Sequence, residues 1–138
     1  MVAERENTKT FKIITFRVNN EDIIAFKKYQ FLLNTNQNEY FSNQKTLVSL
    51  ILNAKKFFET SGHSFIEQPP ENFLKEITNI TKKNLKLSNP RLLLINITES
   101  EKQLFYQIAY AIYTHDKIKD ISYPYIFKRL LEISENIK

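Results

Sequence analysis

One order of elements occurs twice in this chain, and nothing else constrains its fold as much. Thr10-Phe-Lys-Ile-Ile-Thr-Phe-Arg-Val18 is followed by the polar Asn19-Asn-Glu-Asp22 and an apolar-periodic run, then by Ser42-Asn-Gln-Lys45 and a second run to Phe58. Arg91-Leu-Leu-Leu-Ile-Asn-Ile97 is followed by Thr98-Glu-Ser-Glu101 and a helical run, then by Ser122-Tyr-Pro124 and another to Ile137. Each copy reads strand, helix, helix. The spacing from first cap to second cap is nearly the same, Asn19 to Ser42 in one copy and Thr98 to Ser122 in the other. A period this long in a short chain marks a duplicated supersecondary unit. One strand and two helices cannot bury their apolar faces alone, so the copies must pair.

The first strand alternates between Lys12 and Val18: Ile14, Phe16 and Val18 face one way, Ile13, Thr15 and Arg17 the other. That is the pattern of a half-buried strand. Asn19 is placed as a helix N-cap with Asp22 in an acidic first turn. Ile23, Ile24, Phe26, Leu32 and Leu33 mark the apolar stripe of that helix, and Asn34 to Glu39 reads as a polar loop. Ser42 caps the second helix, whose Leu47, Leu50, Ile51, Ala54, Phe57 and Phe58 recur at helical spacing, and Gly62 suits its C-terminal end.

Residues 63–72 read as linker, and Phe73, Leu74, Ile77 and Ile80 suggest a short linker helix. A basic stretch, Lys82 to Lys86, leads to Asn89-Pro90, where a helix must stop. After the second strand, Thr98 and Glu101 have the spacing of a capping box. The next helix carries Leu104, Phe105, Ile108 and Ile112, with Tyr106, Tyr110 and Tyr113 as core or interface aromatics. The last helix starts at Ser122, has Pro124 in its first turn, and buries Ile126, Phe127, Leu130, Leu131 and Ile133. The expected organisation is a flexible arm over 1–9, a first unit over 10–62, a linker with a short helix over 63–90 and a second unit over 91–138. The fold class is mainly α with a short two-stranded antiparallel β-ribbon.

At 138 residues the chain is one compact domain or two very small ones, and 42% apolar content is enough for a core. There are no cysteines, which excludes disulfides and thiolate metal sites and fits a reducing compartment. The first residues are polar and lack the apolar stretch of a signal peptide, and the apolar runs are too short for a membrane span. The expected location is the cytoplasm, away from membranes. Net charge is +5; residues 1–62 hold nine basic and six acidic side chains, so the excess gathers around the first copy. A mild basic excess permits a polyanionic partner without demanding one.

Catalysis finds little to work with. His63 and His115 stand alone, without His or Cys at ligand spacing, and His115 in its His-Asp-Lys loop reads as a solvated turn residue. A single glycine rules out a Gly-rich phosphate loop. Tyrosine is the nucleophile of nicking enzymes, but the metal-binding histidine cluster those enzymes need is absent. The expectation is a protein that is not an enzyme, with no cofactor and no metal.

Phe16-Arg17-Val18-Asn19-Asn20-Glu21-Asp22 resembles the strand-to-helix junction of the ribbon-helix-helix DNA-binding superfamily, and Phe41-Ser42-Asn43-Gln44-Lys45-Thr46-Leu47 resembles the start of that family's second helix. The likeness covers residues 10–58 well and 91–137 more weakly. The motifs are short and degenerate; the doubling adds specificity. Tandem ribbon-helix-helix proteins occur among the accessory proteins of plasmid conjugation, which bind the origin of transfer and help the relaxase. Single-unit members are mostly transcriptional repressors and antitoxins.

The resemblance implies sequence-specific binding of double-stranded DNA, with the ribbon in the major groove. Ile13, Thr15 and Arg17 would then meet bases: Arg17 forked onto guanine O6 and N7, Thr15 on a base edge, Thr15 or Ile13 against a thymine methyl. Backbone N–H groups near Ser42, Asn43 and Gln44, and near Ser122, would clamp phosphates, with Lys12, Lys45 and Arg91 as further phosphate contacts. The second copy departs from this pattern, because an offset of 79 maps Ile13, Thr15 and Arg17 onto Leu92, Leu94 and Asn96. Either that half reads thymine methyls through Leu94 and adenine through Asn96, or the linker helix covers the leucines and the second unit is a scaffold.

The strands can pair within one chain or between two, and a linker of roughly thirty residues including a helix favours pairing within. Three roles stay open: a transfer-origin accessory with a relaxase or other DNA-processing protein as partner, a repressor of its own operon, and an antitoxin-like or scaffold interaction module. Self-association on repeated DNA sites belongs with the first two.

Overall fold

A computed structural model describes residues 11–62, 68–79, 87, 89–119 and 121–136, with the side chains of residues 11, 78 and 79 left out. The arm over 1–9, His63, Ile80 and the basic stretch Lys82 to Lys86 lie outside the described residues. The elements run β1 (Phe11–Asn19), α1 (Asn20–Gln37), α2 (Asn43–Thr60), α3 (Glu71–Asn79), β2 (Pro90–Thr98), α4 (Glu99–His115) and α5 (Tyr123–Asn136). The protein is mainly helical with one two-stranded antiparallel sheet.

The two strands pair within the chain. Their register sets Ile13 opposite Asn96, Thr15 opposite Leu94 and Arg17 opposite Leu92. The same offset of 79 that relates the copies carries Thr15 onto Leu94, its own ladder partner, so a pseudo-twofold axis passes through that pair. The inward residues obey it: Ile14, Phe16 and Val18 correspond to Leu93, Ile95 and Ile97, and all six are buried. The second helices follow at an offset of 80. Thr46, Leu47, Leu50, Ile51 and Ala54 correspond to Ile126, Phe127, Leu130, Leu131 and Ser134, again all buried. Local periodicity thus fixes which face turns inward, and pairing gives that face its cover.

One core forms from both copies. The α2 and α5 helices pack on each other, α5 lies against β1 and α2 against β2, so each second helix covers the other copy's strand. Ring contacts tie the copies together: Phe16 meets Phe105, Tyr123 and Phe127, and Phe26 stacks on Phe127 at 5.5 Å. Because both halves of the core belong to one chain, the midpoint of thermal unfolding should not move with protein concentration. A midpoint that rises on concentrating the sample would show that folding needs a second chain.

Several sequence expectations need correction. Asn34 to Gln37 is not loop but the last turn of α1, closed by Asn38 in the left-handed conformation with its N–H on the Asn34 carbonyl. The expected α1 stripe is half wrong: Ile23 and Phe26 are buried, whereas Ile24 and Leu32 are exposed and Leu33 is half-buried. Asn19 holds the N-cap position of α1 without a side-chain cap hydrogen bond; instead the Asn20 N–H donates to the Asn89 carbonyl at 2.8 Å. The other caps form. Thr98 and Glu101 make the full capping box, and Gly62 sits at φ 79 just past α2.

Helix α3 packs on α4, with Phe73 against Tyr110 and Tyr113 at 4.9 and 5.2 Å. Tyr110 and Tyr113 of α4 are partly buried under this cover. The corresponding face of α1, where Phe31 stands for Tyr110, has no such cover among the described residues, and Phe31 is 66% exposed. His115 is not a solvated turn residue either. It ends α4 and is half-buried, its ring 5.3 Å from that of Phe58 and its Nδ1 2.8 Å from Asp116 Oδ1. Among the described residues, no helix is long and apolar enough to cross a membrane.

Candidate nucleic-acid interface

The outer face of the ribbon is built by the pleat: with Ile14, Phe16 and Val18 committed to the core, Ile13, Thr15 and Arg17 must point away from it. On β2 the same alternation turns Leu92, Leu94 and Asn96 outward. All five predicted base-contacting residues therefore share one face, together with Leu92. Ile13, Leu92 and Leu94 are 59%, 60% and 55% exposed. No helix covers the two leucines among the described residues.

The face is narrow, two strands wide, and chemically mixed. One end carries Ile13 beside Asn96, the middle Thr15 beside Leu94, the other end Arg17 beside Leu92. Long apolar side chains stay on an exposed strand face at a cost, since they gain nothing from burial there. Three on one two-stranded face mark a surface suited to a partner.

The flanks are helix starts. Ser42 is the N-cap of α2, and its hydroxyl accepts the Lys45 N–H at 3.1 Å while its carbonyl accepts the Thr46 N–H at 2.9 Å. Ser122 repeats both bonds at the offset of 80, to Tyr125 at 3.3 Å and Ile126 at 3.1 Å. At α2 the backbone N–H groups of Asn43 and Gln44 have no partner among the described residues, which leaves two donors and the positive helix end for an anion. The Gln44 side chain donates to Glu101 Oε1 at 2.9 Å. Glu101 in turn closes the capping box with Thr98, so the start of α2 is fastened to the ribbon end that carries Asn96.

The predicted phosphate contacts are ordered by neighbours. Lys12 lies 3.7 Å from Glu99, and Arg91 donates to Asn20 Oδ1 at 2.6 Å. Lys45 pairs with Glu39 over the Phe41 ring. Asn43 Oδ1 accepts from Lys27 at 2.9 Å and from Gln30 at 3.1 Å. Lys27 is a cation at the α2 start that the sequence did not single out. It comes from a different helix, and no local spacing reveals that meeting. Exposed pairs of this kind contribute little to stability and can be exchanged for phosphate contacts.

No protein-family model, no curated protein and no solved structure matches the chain.

The cap at Ser42 yields a prediction. Ser42→Ala removes a cap contributing about 1 kcal/mol to stability and loosens the N–H groups of the first turn. Duplex binding should weaken for specific and arbitrary sequences alike, by more than the stability loss explains. Unchanged affinity in a variant that still folds would rule out an anion clamp at this helix end.

Proposed function

We propose that this protein binds double-stranded DNA sequence-specifically, laying its ribbon in the major groove as a tandem ribbon-helix-helix protein. The observation that carries the reading is the pseudo-twofold ribbon itself. It is two strands wide, packed on helices behind and bare in front, with a serine-capped helix start following each copy's first helix. A two-stranded ribbon fits the major groove, where each base pair presents a distinct set of donors, acceptors and methyl groups. Arg17, Thr15 and Asn96 supply hydrogen-bonding side chains on that face; Ile13 and Leu94 supply apolar contact for thymine methyls. The net charge of +5 favours a polyanion. The role within this reading is an accessory at a plasmid transfer origin, working beside a relaxase, with repression of the chain's own operon as the alternative.

The test is binding to duplex at rising salt, where phosphate contacts give a steep and linear loss of affinity on logarithmic axes. Arg17→Ala should cost about 1–3 kcal/mol at the specific site and relax discrimination at one base pair. A uniform loss over unrelated sequences would make Arg17 a phosphate contact, and no loss would remove β1 as the reading element. Selecting bound fragments from the DNA that encodes the protein would separate a promoter from a nick site. The three exposed aliphatic residues of the ribbon face favour a second reading, a protein-interaction module. Absence of salt-dependent duplex binding would leave that one standing.

A further inference from the structure

We infer that the DNA site of this ribbon is non-palindromic and is bound in one orientation. The inference rests on the DNA-binding reading above and goes past it to the class of site. A ribbon made from two identical strands carries the same side chains at both ends, and the duplex it fits is an inverted repeat, protein symmetry mirrored in the site. Here one chain supplies both strands. The pseudo-twofold axis through Thr15 and Leu94 holds for the backbone and for all six buried strand residues, then fails on the outer face.

The failure lies at two pairs of equivalent positions, Thr15 and Leu94 on the axis, where a hydroxyl faces an aliphatic side chain, and Arg17 and Asn96 towards the ends. Ile13 and Leu92 correspond at the offset of 79; both are aliphatic and equally exposed, at 59% and 60%. They make the same kind of contact, to a thymine methyl, in either half. Arg17 and Asn96 also correspond, and they differ. A guanidinium forks onto guanine O6 and N7, whereas a carboxamide pairs with adenine N6 and N7. The register puts these two at opposite ends of the face, Arg17 beside Leu92 and Asn96 beside Ile13. One half-site is therefore centred on guanine and the other on adenine. Turning the protein end for end sets Arg17 on adenine and Asn96 on guanine. Each wrong base pair costs roughly ten- to a hundredfold in affinity; the reversed complex contains two at the ends, and Thr15 and Leu94 also change places at its centre.

The flanks break the symmetry as well. Helix α2 offers the N–H groups of Asn43 and Gln44 with Lys45 and Lys27 nearby. At the equivalent place in α5, Pro124 has no N–H, and Tyr125 stands where Lys45 would. The Tyr125 hydroxyl is committed to Asp116 at 2.6 Å. Phosphate contacts carry no sequence information, so this difference does not choose the orientation. It makes the orientation visible, because the footprint reaches further on the α2 side, beyond the adenine half.

The absence of native cysteines gives a direct test. Tyr40→Cys introduces a single thiol at a largely exposed site two residues before the α2 cap, to which an iron chelate that cuts nearby DNA can be attached. The labelled protein is used to select from a random duplex library and then to cut the selected site. The expected consensus is asymmetric, with guanine towards one end and adenine towards the other, and cutting falls on the adenine flank alone. A palindromic consensus, or equal cutting on both flanks, overturns the inference and leaves the DNA-binding reading intact. Failure to retain any duplex overturns that reading itself. A second variant combines Arg17→Asn with Asn96→Arg, an exchange confined to the exposed face. On the same DNA it should move the cut to the opposite flank; cutting that stays in place would show that these two side chains do not set the orientation.

Discussion

Phe16→Ala is expected to remove most of the stability of this protein. The Phe16 ring is fully buried beneath the ribbon. Its neighbours, Phe105 at 5.7 Å, Tyr123 at 5.6 Å and Phe127 at 5.0 Å, all come from the second copy. Truncating a buried phenylalanine costs about 3–5 kcal/mol, through lost transfer energy and the cavity left behind. Each aromatic pair adds about 0.5–1.5 kcal/mol beyond its buried area. Domains of this size hold only about 5–15 kcal/mol in total. Thermal and denaturant unfolding should show a fall of half or more, and a weakly stable background would not fold at all. The exposed Phe31 is the control, since Phe31→Ala should change stability by less than about 0.5 kcal/mol. If the two variants melted alike, the copies would not share a core.

The second large effect is expected at Asp116, and it depends on pH. Its carboxylate joins α4 to α5: Arg129 Nε donates to Oδ2 at 2.8 Å, the Tyr125 hydroxyl to the same oxygen at 2.6 Å, and His115 Nδ1 lies 2.8 Å from Oδ1. Asp116→Ala leaves a largely buried guanidinium without its partner. Breaking such a pair costs about 3–5 kcal/mol, and the lower end applies because Arg129 keeps a contact with Glu132 at 3.9 Å. Burial by itself would raise the Asp116 pKa. The hydrogen bonds from Arg129, Tyr125 and His115 outweigh it and hold the carboxyl below its ordinary value of 3.8. The same burial and the Asp116 carboxylate push Tyr125 up to about 12.

A carboxyl depressed in the folded state favours folding above its unfolded value, and that contribution is lost as pH falls below it. The stability gap between the natural protein and Asp116→Asn should therefore narrow between about pH 5 and about pH 2. Asp22 works the other way: burial raises its pKa against the pull of Lys128, so its ionisation opposes folding. Comparing the two proteins cancels that opposing trend. A gap that stayed constant across this range would show that Asp116 is not held ionised by its neighbours.

The sequence by itself determined most of what depends on near neighbours, the Asn19 cap and the α1 stripe excepted. Alternation placed Ile14, Phe16 and Val18 inside and Arg17 outside. Spacing placed the Ser42 cap, the Thr98 and Glu101 box and the buried faces of the second helices, because a strand or helix side chain's direction follows from its place in the period. Tertiary structure decided the rest. Asn34 to Gln37 looks like loop by composition, yet Asn34 takes the Asn38 N–H on its carbonyl and the Phe41 N–H on its Oδ1 at 2.6 Å, which carries α1 one turn further. Ile24 and Leu32 look like core and are exposed, because they lie off the face of α1 that Ile23 and Phe26 turn into the shared core. His115 looks solvated and is half-buried, because Phe57 and Phe58 come to it from a helix more than fifty positions earlier. The ladder partners of the ribbon follow the same rule. Periodicity says which way a side chain points, but what it meets depends on chain segments that come together only when the two copies pack.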